Sequence, residues 1–386
     1  MKEGLTALPA LIDPHVHFRT PGATYKEDWI SGAKAAIQSG VTTVFDMPNN
    51  TPSCTTLQEL QNKHALIQNQ LEEAGIPLRY HLYFGADRRH YREIPKVKDY
   101  AIGIKIFMGC STGDLLIDDM ASLNEIFKMA ADHDMLISVH AEDEPTIQQN
   151  KKKFVDVQDP LIHSKIRSRQ AAALAVEKAL NLAEKHRARL CILHVGSKEE
   201  LSLIRAAKAA GITVYAETSP HHLFLVVDDY LKWGNLVQVN PPLREKEDQD
   251  ALWEAIRDGT IDYLGTDHAP HTLEEKKLPY GKAPSGLPSI ELLLPLLLHA
   301  VNQKKIDLNT LVKITRKNIE TIFRLPPNDD LVLIDLNRIR EVQDEGLKTK
   351  CGWSPYRGRV LQGWPVCTII QGRVFHLDDT HKGIHV

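Results

Sequence analysis

Short runs of β-branched and other apolar residues alternate with longer amphipathic stretches along most of the chain. Eight of the apolar runs predict β-strands, at Leu8–Ile12, Val41–Phe45, Leu78–Phe84, Ile102–Met108, Met135–Val139, Leu190–Leu193, Ile212–Ala216 and Ile261–Leu264. The stretches between them predict α-helices, at Asp28–Ser39, Leu57–Ala74, Met120–Asp132, Ala171–His186, Lys198–Ala210 and Asp248–Arg257. Strands that alternate with helices in this way are the elements of a parallel barrel. We therefore expect an α/β fold, a (β/α)8 barrel of the TIM type.

The pattern changes after Leu325. Pro326-Pro327 and Asn328–Asp330 interrupt the helical spacing, and short strand-like runs follow at Leu331–Ile334, Val366–Gln371 and Val374–His376. We expect two domains, a barrel over residues 1–325 and a small β-sandwich subdomain over residues 326–386.

Charge and composition exclude several classes of protein. Lys and Arg number 47 against 50 Asp and Glu, for a net charge of -3, so no basic field favours nucleic acid. The most apolar run, Ile290–Val301, is too short to span a bilayer, and Met1–Ala10 lacks the build of a signal peptide. The 5 cysteines are scattered without a C-x-x-C pair, as in reduced proteins. These features favour a cytoplasmic protein that binds neither nucleic acid nor membrane.

Reactive side chains follow several of the predicted strands. His15 and His17 come after the first strand, His140 after the fifth, His194 after the sixth and Asp267 after the eighth. In a parallel barrel the carboxyl ends of the strands meet at one face, where active sites form. The sequence therefore predicts that these five side chains converge.

The spacing of His15 and His17 favours a metal site. Two residues that are two apart in an extended segment point to the same side, and Arg19 continues that face. Imidazole and carboxylate are ligands that Zn²⁺ accepts, and Co²⁺ and Mn²⁺ accept them too. We expect a divalent metal here, with its identity open.

Lys105 lies in an apolar run, Ile102–Met108, where an unpaired ammonium would be costly to bury. A buried lysine tends to lose its proton, and a neutral amine can add CO₂ to become a carbamate that bridges two metal ions. The alternatives are an unmodified lysine that reaches a carboxylate, or one that reaches solvent at the barrel mouth. Beside the strand-end histidines, we favour the carboxylated form.

These motifs, taken in order, resemble the dihydroorotase family of the amidohydrolase superfamily. The segment Asp13–Arg19 with Pro21-Gly22 resembles the first metal motif of that family. Further matches along nearly the whole chain are Met47-Pro48-Asn49, the strand with Lys105, Val139–Glu142, Leu193–Val195, Asn240–Arg244, Thr266–His271 and Trp353–Tyr356 with Gly358.

The resemblance implies a two-zinc site. His15, His17 and Asp267 would hold one ion, His140 and His194 the other, and carboxylated Lys105 would bridge the two. The implied reaction is the reversible cyclisation of N-carbamoyl-L-aspartate to dihydroorotate plus water, in pyrimidine biosynthesis. A metal-bridging hydroxide would be the nucleophile, and Asp267 the general base that passes its proton to the ring nitrogen.

The resemblance also implies a set of substrate contacts. Arg19, Asn49 and His271 would clamp the substrate carboxylate, and a guanidinium fork suits that group. His268 and Asn240 would be further contacts, the latter in a pyrimidine pocket with residues 283–286. For His268 a solvated loop position stays open, and turn chemistry explains the Pro and Gly residues around Asn240 equally well.

The chain departs from the family pattern at its N-terminal end. Family members carry several strands before the first metal motif, but only a short leader precedes His15 here. The sandwich is therefore expected to be incomplete, and an uncovered strand edge would favour a homodimer or another partner.

Two other functions stay open at this point. An allantoinase or dihydropyrimidinase would share the metal ligands, but it would need no clamp for a ring carboxylate. A non-catalytic dihydroorotase-like subunit would instead support a partner such as a carbamoyltransferase, and loss of metal ligands would be its signature. All six candidate ligand positions hold competent residues, which favours the enzyme.

Overall fold

The computed structural model describes residues 4–109 and 115–377. The last nine residues of the predicted C-terminal subdomain, 378–386, lie outside the described part. No helix in the described part is long and apolar enough to cross a membrane.

Eight parallel strands form the barrel that the sequence predicts. They follow one another in chain order from β2 to β9, as β2 Leu11–Val16, β3 Val41–Asp46, β4 Arg79–Gly85, β5 Gly103–Phe107, β6 Ile137–His140, β7 Leu190–Ile192, β8 Val214–Thr218 and β9 Tyr263–Leu264. The sheet closes where Val16 of β2 bridges His268, and the His17 amide donates to the His268 carbonyl at 2.8 Å. Closure brings the two ends of the sheet, and the residues after them, side by side.

Helices surround the barrel. The α-helices are α1 Trp29–Gln38, α2 Leu57–Glu73, α3 Ile94–Val97, α4 Met120–Asp132, α5 Glu144–Lys151, α6 His163–Ile166, α7 Arg169–His186, α8 Lys198–Ala209, α9 Pro220–Phe224, α10 Asp229–Trp233, α11 Lys246–Asp258, α12 Leu273–Lys276, α13 Leu293–Asn302, α14 Leu308–Val312 and α15 Asn318–Phe323. Short 3-10 turns lie at Tyr91–Glu93, Pro160–Ile162, Gly234–Val237 and Ile290–Leu292, and a π-helical turn lies at Lys313–Lys317. Capping boxes begin α2 and α8, where Thr56 and Ser197 pair with Glu59 and Glu200.

Aromatic side chains close the N-terminal end of the barrel. Phe323 of α15 makes edge contacts with Phe45, Tyr83 and Tyr263 at ring-centroid distances of 4.9, 6.5 and 5.8 Å. All four are buried. The barrel is therefore filled at this end, and the opposite end is left to hold polar groups.

A second sheet of four antiparallel strands packs beside the barrel. Its order is β1-β10-β11-β12, with β1 Thr6–Pro9, β10 Leu331–Glu341, β11 Val360–Ile370 and β12 Arg373–His376. The N-terminal strand thus pairs with the C-terminal segment, Leu8 opposite Val332. The described residues form one small sheet in place of a full sandwich, and the division at residue 325 stays a prediction.

Several predicted strands differ from the structure in their bounds, and β10 and β11 extend well beyond the predicted runs Leu331–Ile334 and Val366–Gln371. The run Leu8–Ile12 is divided between β1 and β2, because the chain passes from one sheet to the other at Ala10, whose amide donates to the Asp330 carbonyl. The strand expected at Ile212–Ala216 is β8, two residues further along. Apolar spacing does not reveal which sheet a residue joins, which explains the division of Leu8–Ile12, and it places strand ends only to within a few residues, which explains the other differences.

Residues 342–359, which we call the C-terminal strap, connect β10 to β11 and pack on the barrel. Buried Glu27 accepts hydrogen bonds from the Lys350 amide at 3.0 Å and the Thr349 hydroxyl at 2.5 Å. Glu291 accepts from the Lys348 and Thr349 amides. The strap is thereby fixed against the C-terminal face of the barrel.

Phe323→Ala should lower the free energy of unfolding by about 3–5 kcal/mol, because it leaves a cavity among three buried rings. Chemical denaturation followed by circular dichroism measures the change. Tyr100→Ala is the matched control, since that ring is 56% exposed and its loss should be nearly neutral. Equal losses in the two variants would contradict the assignment of Phe323 as the side chain that fills the N-terminal end of the barrel.

Candidate active site

A cavity of about 270 Å³ opens at the C-terminal face of the barrel. All six predicted metal ligands line it, and so do Arg19, Asn49, His271 and Asn240. The rest of its wall consists of Phe107, Ala269, Pro284, Ser285 and Gly286. The convergence that the strand-end positions predict is therefore present in the fold.

His15, His17 and Asp267 form the tightest group. Their ligand atoms all lie within 4.8 Å of one another. Asp267 Oδ1 lies 3.0 Å from His17 Nε2 and 3.3 Å from His15 Nε2. Two imidazoles and a carboxylate at this separation can hold one divalent cation.

Each ring of this pair is oriented by a hydrogen bond from its other nitrogen. His15 Nδ1 donates to Glu217 Oε1 at 2.7 Å, and His17 Nδ1 donates to Asn49 Oδ1 at 2.8 Å. A neutral imidazole that donates from Nδ1 keeps a lone pair on Nε2. Both lone pairs therefore point toward Asp267, where a cation would lie.

His140 and His194 form a second group beside the first. His140 Nε2 donates to Glu142 Oε2 at 2.6 Å, and Arg167 in turn holds Glu142. The free Nδ1 of His140 lies 3.1 Å from His194 Nε2. The ring centroids of His15 and His194 are 5.5 Å apart, so the two groups share one cavity.

Lys105 lies on β5 in a buried position and lines the same cavity. Its Nζ lies 4.7 Å from the centre of the Phe107 ring and makes no hydrogen bond or ion pair with the described residues. Burial lowers the pKa of Lys105 to about 8, so a neutral amine is accessible near neutral pH.

The electrostatics suit a cation. Burial lowers the pKa of His17 to about 4 and that of His194 well below its usual value, so both rings are neutral. Neutral imidazoles beside a charged carboxylate are the donor set that Zn²⁺ accepts, so the residues present fit a divalent metal.

Three residues that line the cavity have a strained backbone conformation. Arg19, His194 and Asp267 have φ values of 59°, 39° and 47°, in the left-handed region that ordinary residues avoid. Such strain costs on the order of 1–3 kcal/mol at each residue and is found at functional sites. The closed barrel holds these residues in conformations that a free chain would rarely adopt.

Arg19 lies at the edge of the cavity with an incompletely satisfied guanidinium. Its Nε donates to the Pro270 carbonyl at 3.2 Å, and one terminal nitrogen lies 3.1 Å from His271 Nε2. No carboxylate of the described residues forms an ion pair with Arg19. This cation is therefore available to an anionic group in the cavity.

His268 occupies a different place from the one predicted. It is fully buried and does not line the cavity, Glu27 binds its Nε2 at 3.2 Å, and the Ser289 amide donates to its Nδ1 at 3.0 Å. Both ring nitrogens are engaged, so the expected substrate contact is corrected to a structural one. Asn240 does line the cavity, and its Oδ1 accepts from His163 Nε2 at 2.9 Å.

Sequence reasoning missed the residues that orient the predicted metal ligands. Glu217 comes near the end of β8, and the strand-end rule could have found it. Glu142 was noted within a motif but was given no role. Asp13 joins β2 to the segment after β9 by accepting from the Thr266 amide at 3.0 Å, a contact between residues far apart in the chain.

Comparison with known proteins agrees with this geometry. A dihydroorotase of Halobacterium salinarum is 35% identical over 386 residues, which cover 97% of this chain and 87% of the relative. The multifunctional protein CAD of Squalus acanthias is 36% identical over 376 residues, which cover 97% of this chain and 15% of that protein.

The fold is also similar to that of a solved enzyme, the L-hydantoinase (dihydropyrimidinase) of Arthrobacter aurescens. The TM-score is 0.89 at 28% identity, over 96% of this chain and 85% of the other. The model of the amidohydrolase family matches residues 6–318, most of the chain. The chain therefore belongs to the amidohydrolase family.

Proposed function

We propose that this chain is a dihydroorotase, which interconverts N-carbamoyl-L-aspartate and dihydroorotate plus water. The observation that carries the proposal is Arg19, a partly buried guanidinium without a carboxylate partner among the described residues, at the edge of a cavity lined by metal-ligand types. A substrate with a ring carboxylate supplies the missing anion. The curated dihydroorotases that resemble the chain over nearly its full length support the same activity.

We propose two divalent ions, as Zn²⁺ or a metal of similar preference. His15, His17 and Asp267 would hold one, His140 and His194 the other, and carboxylated Lys105 would bridge them. His15, His17 and His140 each donate from one ring nitrogen and keep a lone pair on the other, and these lone pairs support the division between two ions. When bound, such ions supply Lewis acidity for the amide carbonyl and lower the pKa of water.

Asp267 is the proposed general base. Its Oδ1 faces the two histidines, and its Oδ2 accepts no hydrogen bond from the described residues. In the hydrolytic direction Oδ2 would take the proton of the attacking water and give it to the departing ring nitrogen. In the biosynthetic direction the same oxygen would take the proton from the ureido nitrogen as the ring closes.

Arg19 and Asn49 would bind the substrate carboxylate directly, and His271, whose ring nitrogens face Lys26 and Ser285, would line that part of the cavity beside Arg19. Asn49 uses its Oδ1 to orient His17, which leaves its amide NH₂ for the substrate. A charged clamp beside the metal ligands would fix the ring amide for attack. Asn240 would line the pyrimidine ring, and His268 is not proposed as a contact.

The alternative is another cyclic amidase, a hydantoinase or dihydropyrimidinase, and the TM-score of 0.89 to one such enzyme favours it. These activities require no ring carboxylate, so they leave Arg19 unexplained. A non-catalytic subunit is disfavoured, because every proposed ligand position lines the cavity with a competent side chain. A homodimer, association with a carbamoyltransferase and a cytoplasmic location stay predictions.

Arg19→Met should weaken dihydroorotate binding by about 1.5–3 kcal/mol, the value of a hydrogen bond to a charged group. That corresponds to a rise in KM of roughly 10- to 150-fold. Turnover of dihydrouracil, which lacks the carboxylate, should change little. Arg92→Met, at an exposed arginine, is the control. An unchanged KM for dihydroorotate in the folded Arg19 variant would contradict the substrate assignment.

Protein stripped of metal by chelation should regain dihydroorotate turnover only when zinc and bicarbonate are both supplied. The reason is that the Lys105 amine must add CO₂ before it can bridge two ions. The measurement is recovered activity in buffer depleted of CO₂, with and without bicarbonate. Lys98→Met, at an exposed lysine, should behave as the parent. Full recovery with zinc alone would mean that Lys105 acts unmodified.

Glu217→Gln should lower zinc affinity by about 10- to 100-fold, because the amide orients His15 less well than the carboxylate does. Zinc content after dialysis against graded chelator measures the change without any activity assay. Glu247→Gln provides the matched control, since that side chain is 79% exposed. Equal zinc retention by both variants would refute the orienting role of Glu217.

A further inference from the structure

Lys276 is a buried lysine that the proposed reaction does not use. It is the last residue of α12, whose capping box joins Thr272 to Glu275. The Lys276 amide donates to the Thr272 carbonyl at 3.0 Å, which continues the turn and directs the side chain inward. Only 2% of the residue is exposed.

Three backbone carbonyls surround the ammonium of Lys276. Its Nζ donates to Gln238 O at 3.2 Å, to Pro284 O at 2.9 Å and to Gly286 O at 2.7 Å. An ammonium has three N–H donors, and each has one acceptor here. No carboxylate of the described residues forms an ion pair with it, so its positive charge is not neutralised locally.

These carbonyls belong to two segments that form one side of the cavity. Residues 238–240 and 283–286, which we call the outer wall, include Asn240, Pro284, Ser285 and Gly286 of the cavity lining. The Gly286 amide also donates to the Gln238 carbonyl at 2.9 Å. Gly286 itself lies so close to the preceding loop that an added Cβ would be 2.6 Å from the Ala269 carbonyl oxygen. The outer wall is closely packed. Lys276, which does not line the cavity, joins its two segments.

The outer wall in turn fixes His271. The Lys26 ammonium donates to His271 Nδ1 at 3.0 Å, so a neutral ring carries its proton on Nε2 and donates to the Ser285 carbonyl at 3.1 Å. The terminal nitrogen of Arg19 that lies 3.1 Å from Nε2 then finds no lone pair there. The position of Ser285 therefore determines how the His271 ring lies beside the Arg19 guanidinium.

We propose that Lys276 is a positioning residue, which joins the two segments of the outer wall and so holds His271 and Arg19 in the geometry that binds a carboxylate. Loss of the ammonium would leave the Pro284 and Gly286 carbonyls without a donor, and the Gln238 carbonyl with the Gly286 amide alone, so the segments would separate to reach water. The substrate part of this inference rests on the proposed function. The structural part does not.

The test compares Lys276→Met with Lys277→Met in the full chain. Both substitutions remove one positive charge, but Lys277 is exposed, and its side chain makes no hydrogen bond to the outer wall among the described residues. Hydrogen–deuterium exchange of peptides that cover residues 235–240 and 283–287 reports on the wall without any substrate. We expect faster exchange in both peptides of Lys276→Met and parent-like exchange in Lys277→Met. Parent-like exchange in folded Lys276→Met would overturn the proposal.

Kinetics with dihydroorotate test the consequence for substrate. We expect KM to rise about tenfold in Lys276→Met, the equivalent of one lost hydrogen bond to a charged group, with kcat within about threefold of the parent. Lys276→Arg, which keeps charge and donors, should restore part of the affinity. A fall in kcat at constant KM would overturn the positioning role. Absence of turnover in the parent would refute the proposed function, and the exchange experiment would still decide the role of Lys276.

Lys276→Gln covers the case in which the methionine variant does not fold. Its amide keeps two donors without the charge, so it should fold and show intermediate exchange in the same two peptides. Exchange in Lys276→Gln that equals the parent, together with an unchanged KM, would also overturn the proposal.

Discussion

The candidate site depends on hydrogen bonds that three histidine rings donate to buried or partly buried oxygens. Glu217, Asn49 and Glu142 each bind one ring and leave its second nitrogen free. Without them the imidazoles could rotate, and the lone pairs of His15 and His17 would no longer meet at Asp267. Burial lowers the pKa of His17 and His140, so these two rings stay neutral, and an acceptor left unpaired at such a position would be costly.

The barrel supplies the rigidity that these contacts require. Its N-terminal end is filled by aromatic rings around Phe323, and its sheet closes next to His17 and His268. That closure brings Asp267 beside His15, although 252 positions separate them in the chain. The C-terminal strap adds support from outside, since Trp353 donates to the His271 carbonyl at 2.8 Å. The predicted ligands therefore rest on the barrel, and the side of the cavity around His271 is supported by the outer wall and the strap.

Much of the site could be predicted because it follows the ends of strands. His140, His194 and Asp267 were identified by that position alone, and all three line the cavity. His268 was the failure, because a histidine next to a metal ligand looks equally suited to substrate or to structure. Its role depends on Glu27 and Ser289, which are distant in the chain. The division of Leu8–Ile12 between two sheets was missed for the same reason, since spacing describes a strand and not its partner.

Sequence by itself determined the class of fold, the ligand types and the family, because apolar periodicity and the order of the motifs are local properties of the chain. Tertiary structure decided the rest. It placed Glu217 against His15 and buried His268 outside the cavity. It also left Arg19 without a carboxylate among the described residues and surrounded the Lys276 ammonium with three carbonyls. These outcomes depend on which segments lie side by side once the sheet closes. Pairing of that kind is a property of the packed barrel, and no stretch of sequence carries it alone.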